Sequence, residues 1–133
     1  MEFPCQIIRQ SWARIKPVRI IPPFPAGTAT DISARIVGQK FSEIWGKPVI
    51  IENVPGAAGS VGAERAAKSA PDGYTLFILS TAHTINPGLY AKLAYDPVRD
   101  FAPVTMLVAT SQVLVVHNSV PVKTVKEIGR AHV

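Results

Sequence analysis

The sequence holds one cysteine, Cys5, and only three histidines. No apolar run reaches the roughly 18 residues that a membrane-spanning helix requires. A lone cysteine excludes an internal disulfide and leaves the redox compartment undetermined. His83, His117 and His132 lie far apart with no carboxylate cluster between them, so neither a metal site nor a cofactor is expected. Charge is sparse as well. Only 17% of the 133 residues are charged while 47% are hydrophobic, which excludes a disordered tail. A globular chain of this length buries roughly two thirds of its unfolded surface, enough for a real core. No Gly-x-Ser-x-Gly elbow occurs, and nothing assembles a nucleophile, a base and an oxyanion hole. The chain is therefore not read as an enzyme.

Fourteen Lys and Arg against nine Asp and Glu give a net charge of +5. The basic residues are dispersed. Arg9, Arg14, Lys16 and Arg19 form the only local excess, without the Gly-aromatic signature of an RNA-binding sheet, so nucleic acid is not expected as a partner. A modestly basic surface would instead help to attract an anionic solute.

The two ends stand apart from the rest. Residues 1–15 form an atypical lead-in, because Arg9, Gln10, Ser11 and Arg14 interrupt any apolar stretch of the kind a secretory signal needs. At the other end, Thr124 and Glu127 have the spacing of a capping box that opens a helix. Residues 128–133, Ile128 to Val133, read as a non-native tail and are left out of the fold expectation.

Between the ends, strand and helix patterns alternate. Val18 to Ile21 is a short β-branched run, followed by the loop-forming Pro22-Pro23-Phe24-Pro25-Ala26-Gly27. Asp31 to Trp45 carries Ile32, Ile36, Val37, Phe41, Ile44 and Trp45 at helical spacing, with Gly46 at the C-terminal cap position. Val49 to Glu52 is a second strand. Ser60 to Ser69 is an Ala-rich helix with Val61, Ala66, Ala67 and Ala70 as its packing side, and Pro71-Asp72-Gly73 is a turn. Tyr74 to Ser80 is a third strand, apolar enough to be covered on both faces. Asp96 to Phe101 reads as a polar turn, and Val104 to Val108 and Val113 to His117 are further strand candidates. Helix-length crossovers between the first three strands predict a parallel sheet, hence an α/β fold.

Ligands of open parallel sheets bind beyond the carboxyl ends of the strands. Two unusual loops are expected there. In the first, Pro25, Ala26, Gly27, Thr28, Ala29, Thr30 and Asp31 precede a helix whose first amides lack partners and favour a carboxylate or phosphate. Capping of that helix by Thr30 or Asp31 is the commoner use of such residues. In the second, Ser80, Thr81, His83, Thr84 and Asn86 can all donate to an oxygen-rich ligand. The alternative is turn chemistry around Asn86-Pro87, with Ser80 or Thr81 capping a short helix. Gly56-Ala57-Ala58-Gly59-Ser60-Val61-Gly62 has the wrong first spacing for a dinucleotide fingerprint and follows the second strand, so its glycines are read as a tight turn and a close-packed helix start.

Five motifs occur in register: Pro23-Phe24-Pro25-Ala26-Gly27-x-x-x-Asp31; Glu52-Asn53-x-Pro55-Gly56-Ala57; Pro71-Asp72-Gly73-Tyr74-Thr75-Leu76; Asn86-Pro87-x-Leu89-Tyr90; and Tyr95-Asp96-Pro97-x-x-Asp100-Phe101-Ala102-Pro103-Val104. In this order they closely resemble the substrate-binding receptors of tripartite tricarboxylate transporters, also called Bug-type receptors. The resemblance runs from about Lys16 to Glu127. It implies a type II periplasmic-binding-protein-like architecture, a mostly parallel sheet flanked by helices, with residues 16–108 as part of the first lobe and 109–127 as the crossover toward the second. It further implies a periplasmic receptor that captures a small carboxylate solute and passes it to membrane transporter subunits. Residues 25–31 and 80–86 would then line the cleft, with Asp31 ordering its loop or holding a water. The chain departs from the family pattern in carrying Thr28 where a second glycine is usual, in lacking a recognisable secretory signal, and in being less than half the family length. A Rossmann-like nucleotide-binding enzyme fragment and a truncated lobe that self-associates remain as alternatives.

Overall fold

A computed structural model describes residues 16–109, 111, 113–122 and 124–130. The lead-in 1–15 with Cys5, and residues 110, 112, 123 and 131–133 including His132, lie outside the described residues. Three parallel strands form one sheet: β1 (Val18–Ile21), β2 (Val49–Ile51) and β3 (Thr75–Phe77). Their order is β2-β1-β3. Val18 lies opposite Val49 on one side of β1, and Arg19 lies opposite Thr75 on the other. A central strand must be apolar on both faces, and Val18, Ile20 and Ile21 are buried accordingly.

Helix α1 (Ala29–Trp45) crosses from β1 to β2 and ends at Gly46, whose left-handed conformation turns the chain back. Its buried stripe differs from the expected apolar one. Asp31, Ala34 and Gly38 face the sheet, whereas Ile32, Ile36 and Ile44 are at least half exposed. Small side chains let the helix approach closely: a Cβ on Gly38 would lie 2.9 Å from the Ile51 Cδ1 methyl. The isoleucines follow helical spacing but sit around the helix from that contact. The Ser42 hydroxyl then accepts from the Val49 amide at 3.0 Å and fixes the entry into β2.

Helix α2 (Ser60–Ala67) follows a short 3-10 turn at Ala57–Gly59. It buries Gly62 and Ala63, while the expected Val61 is exposed. Beyond β3, residues expected to continue the strand to Ser80 leave it after Phe77. What was read as a loop is helix α3 (Thr81–Leu89), with Ser80 as its N-cap accepting from the Ala82 amide at 3.3 Å. The capping alternative for Ser80 is therefore the observed one.

The polar turn at 96–101 is as expected. Asp96 Oδ1 accepts from the amides of Val98 and Arg99, and Asp100 Oδ2 accepts from the Asp96 amide. Phe101 rests beside Phe77, His83 and Tyr95 in an aromatic cluster in which His83 and Tyr95 are buried. The strand candidates 104–108 and 113–117 form no ladder among the described residues. Their β-branched composition suits a strand, but a strand requires a neighbour, and their side chains are largely exposed. A last helix, α4 (Val125–Arg130), begins after Thr124 as its spacing predicts.

Candidate functional site

The strand order decides where a ligand would meet this sheet. The chain steps from β1 outward to β2 and then back across β1 to β3. In a 2-1-3 order the crevice lies at the carboxyl ends of β1 and β3. The segments that leave those two strand ends are 22–31 and 78–86, which carry the two sets of residues singled out in the sequence.

At the first, Thr28 is the N-cap of α1 but makes no capping bond. Its hydroxyl donates instead to the Pro25 carbonyl at 2.8 Å and lies 3.1 Å from the Thr30 hydroxyl. Asp31 does not cap the helix either. Its Oδ2 reaches back to accept from the Gly27 amide at 2.9 Å and from Arg35 Nε at 3.0 Å. The amides of Ala29, Thr30 and Asp31 consequently have no acceptor among the described residues. They emerge at the positive end of a 17-residue helix. Pro25, Ala26, Gly27 and Ala29 are exposed around them, and Gly27, at φ +85°, allows the tight reversal with open space where a side chain would stand.

Asp31 itself is buried. The Arg35 guanidinium and then the Gly27 amide hold its carboxyl down at about 2, against the opposing effect of burial. It is thus ionised at neutral pH and acts as the internal brace of the loop. It lies on the inner face of α1, and its charge is answered by Arg35, one turn on, whose side chain reaches in from an exposed position.

The second segment is divided in its use. Thr81 and Thr84 are exposed, although the Thr84 hydroxyl donates to the Thr81 carbonyl at 2.8 Å. His83 is buried, with Nε2 3.2 Å from the Pro97 carbonyl and its ring stacked against Tyr95. Asn86 is buried too, and its Nδ2 donates to the Ala58 carbonyl at 3.2 Å and to the Ser60 hydroxyl at 2.9 Å. His83 and Asn86 thus engage neighbouring segments, while Ser80 caps α3.

Sequence reasoning missed the bracing role of the β2–α2 connection. Asn53 Nδ2 donates to the Phe24 carbonyl at 3.0 Å and ties this connection to the first loop. Asn86 ties it to α3. Between the two, Gly56, Ala57, Ala58 and Gly59 all have positive φ, with the two alanines at +45° and +50°. Gly59 and Gly62 bring α2 against Pro23, where added Cβ atoms would sit 3.2 and 3.0 Å from it. The glycine spacing pointed to this close packing. Nothing in the sequence marked the amides of Asn53 and Asn86 as the clamps.

Residues 33–132 match the family described as tripartite tricarboxylate transporter family receptor. The chain belongs to that family. Among relatives, BugT of Bordetella pertussis is 37% identical over 102 residues, which cover 75% of this chain and 31% of BugT. A protein of the tcbD-tcbE intergenic region of Pseudomonas sp. (strain P51) is 38% identical over 101 residues, 76% of this chain and 30% of that protein. Among solved structures, MatC of Rhodopseudomonas palustris with bound malate is 39% identical and superimposes with a TM-score of 0.65, covering 70% of this chain and 32% of MatC. A second R. palustris protein, solved with adipate, is 32% identical with a TM-score of 0.65, covering 86% of this chain and 39% of its own. This receptor-family chain spans about a third of the length of the curated relatives it matches. The periplasmic-binding-protein fold expected from its motifs agrees with these neighbours, and the family is one of receptors rather than enzymes.

Proposed function

We propose that this receptor-family chain binds a small carboxylate solute at the β1–β3 crevice, as part of an extracytoplasmic receptor that delivers the solute to membrane transporter subunits. One observation carries the reading: the first-turn amides of α1 are left open, because Thr28 and Asp31 bond elsewhere. Three convergent N–H groups at a helix N-terminus suit a carboxylate. Thr81, exposed in the segment that leaves β3, is a further hydroxyl donor, and Ser80, His83 and Asn86 hold the crevice in shape. Malate and adipate, the solutes bound by two structural neighbours, are the first ligands to try. Residues 16–108 correspond in this reading to the first lobe, and 109–127 to the passage toward the second.

The test is a titration of the full chain with malate and with adipate, read by amide NMR shifts at constant ionic strength. The amides of Ala29, Thr30 and Asp31 should shift in a saturable way. Ala29→Pro deletes one donor at the helix position that best accepts proline, and Thr28 before it is already extended. That variant should keep the spectrum of the fold and bind several-fold more weakly. Shifts reproduced by chloride alone, or spread without preference for these amides, would reject the reading. So would an unchanged affinity in Ala29→Pro.

A further inference from the structure

Helix α3 carries no Asp, Glu, Lys or Arg, yet it holds one titratable side chain, His83, and buries it to 6% exposure. Three rings wall it in. Tyr95 stacks on it at 5.5 Å between centroids, Phe101 meets it edge-on at 5.0 Å, and Phe77 lies tilted at 5.6 Å. One polar contact remains: Nε2 lies 3.2 Å from the Pro97 carbonyl, and a carbonyl oxygen can only accept. Nε2 therefore carries the proton, which makes Nδ1 the bare nitrogen of a neutral imidazole. Nδ1 is buried and has no partner. The residues named enclose the ring themselves, so any further chain would pack outside this cage.

Among the described residues, the Pro97 contact is the one hydrogen bond that joins α3 to the turn at 96–101. Protonation of His83 would add a donor at Nδ1. Burying an N–H and a positive charge where nothing accepts costs more than ring faces return to a cation. The charged groups on the surrounding elements are engaged elsewhere. Asp96 and Asp100 accept from amides of their own turn, and Arg99 lies 3.8 Å from Asp96. On α2, Glu64 pairs with Lys68 and Arg65 with Glu52. Lys92, in the link from α3 to Tyr95, is exposed, and β3 has no charged side chain. Tyr95, whose hydroxyl is also buried without a partner, is the one titratable side chain against the ring.

We infer that His83 is an acid-released latch: neutral, it holds the 95–101 segment against α3, and protonated, it lets that segment go. The released ring takes a second proton more readily than the latched one. Latching is thus complete above the range in which histidines titrate and is lost as pH falls through it. Release loosens the helix whose first turn carries Ser80 and Thr81 at the crevice. The inference needs no bound solute and stands apart from the carboxylate reading.

The test is NMR of the full chain from pH 8 to pH 5 at constant ionic strength. Long-range correlations to the ring nitrogens should show His83 with its proton on Nε2 at pH 8. On acidification the amides of 96–101 should pass to a released set of signals, with the midpoint at which His83 gains its second proton. Below that midpoint the ratio of latched to released signals should fall about tenfold per pH unit, the slope of one proton. His117, exposed and with Nδ1 2.8 Å from the Ser119 hydroxyl, is the control that titrates without moving the turn. His83→Gln keeps a neutral amide donor for the Pro97 carbonyl and takes up no proton, so its turn should stay latched throughout. If that variant is unfolded at pH 8, the two midpoints in the parent chain still decide. A proton on Nδ1 at pH 8 overturns the inference, as does a turn that stays latched while His83 titrates. So does a His83 that remains neutral down to pH 5, and so does a release that His83→Gln shows equally, which would assign it to the carboxylates of the turn.

Discussion

Two glycines in this chain carry the same chemical change to opposite outcomes, and the difference can be worked from what an added methyl would meet. At Gly38, in the middle of α1, a Cβ would approach the Ile51 Cδ1 methyl at 2.9 Å and the Val49 Cγ1 methyl at 3.4 Å. Both are ends of side chains that can rotate aside. At Gly62, in α2, a Cβ would lie 2.8 Å from the Val54 carbonyl oxygen and 3.0 Å from Pro23 Cα. Those are backbone atoms, and the Val54 amide is itself bonded to the Pro22 carbonyl at 3.0 Å, so they are held in place. Replacing glycine by alanine in a helix gains up to about 1 kcal/mol of propensity at either site. Overpacking costs roughly 1–3 kcal/mol, with the upper end where only backbone can yield. Gly38→Ala should therefore fall near neutrality. Gly62→Ala should lose about 1–2 kcal/mol net, a fall in Tm of roughly 4–8 °C for a domain of this size. Urea and thermal melts of the two variants, run side by side with the parent chain, provide the comparison. If Gly62→Ala is as stable as Gly38→Ala, the close seating of α2 on Pro23 is wrong, and with it the account of how the β2–α2 connection braces the first loop.

Two further perturbations address the braces directly. Asn86→Ala removes a buried side chain that donates to the Ala58 carbonyl and the Ser60 hydroxyl, and should cost about 1–2 kcal/mol in a denaturant melt. Asp31 is held at about 2 against an ordinary 3.8, so the stability it contributes is fully present above about pH 4 and is lost as pH falls through 2. Acid titration of unfolding should show that slope in the parent chain and a flatter one in Asp31→Asn. An identical slope in both would mean that the Gly27 and Arg35 contacts do not hold in solution.

Much of the fold could be read from residues whose effect is local. β1 was expected at Val18–Ile21 and is found there, because a β-branched run stopped by Pro22-Pro23 has no other comfortable conformation. Gly46 ended α1 for the reason glycine commonly does, a left-handed turn. What escaped were features set by tertiary contact. Periodicity located α1 but favoured its isoleucines over Ala34 and Gly38, since size alone does not reveal which face seeks close approach. Ser80 to Asn86 looked like a polar loop because threonine, histidine and asparagine are weak helix formers; the serine cap and the burial of His83 and Asn86 outweigh that preference. Val104–Val108 and Val113–His117 have strand composition, but pairing depends on a neighbour that composition cannot name. At the site, the loop carrying Gly27 and Asp31 could be found from its sequence, whereas the direction of the Asp31 carboxylate, inward to Gly27 rather than onto the helix end, is a matter of geometry alone.

The positions of Asn53, Asn86 and Asp31 have a consequence for how this site can change over time. All three grip backbone groups from the inner side, at Phe24, Ala58 and Gly27. The side chains at Ala26, Ala29 and Thr81 stand on the outer side and hold nothing up. If the crevice binds a carboxylate as proposed, scaffolding and contact with the solute fall to different residues. Under that proposal, substitutions on the outer rank would retune which acid is preferred without loosening the frame, so one fold could diversify its diet by single steps that each leave a folded protein behind.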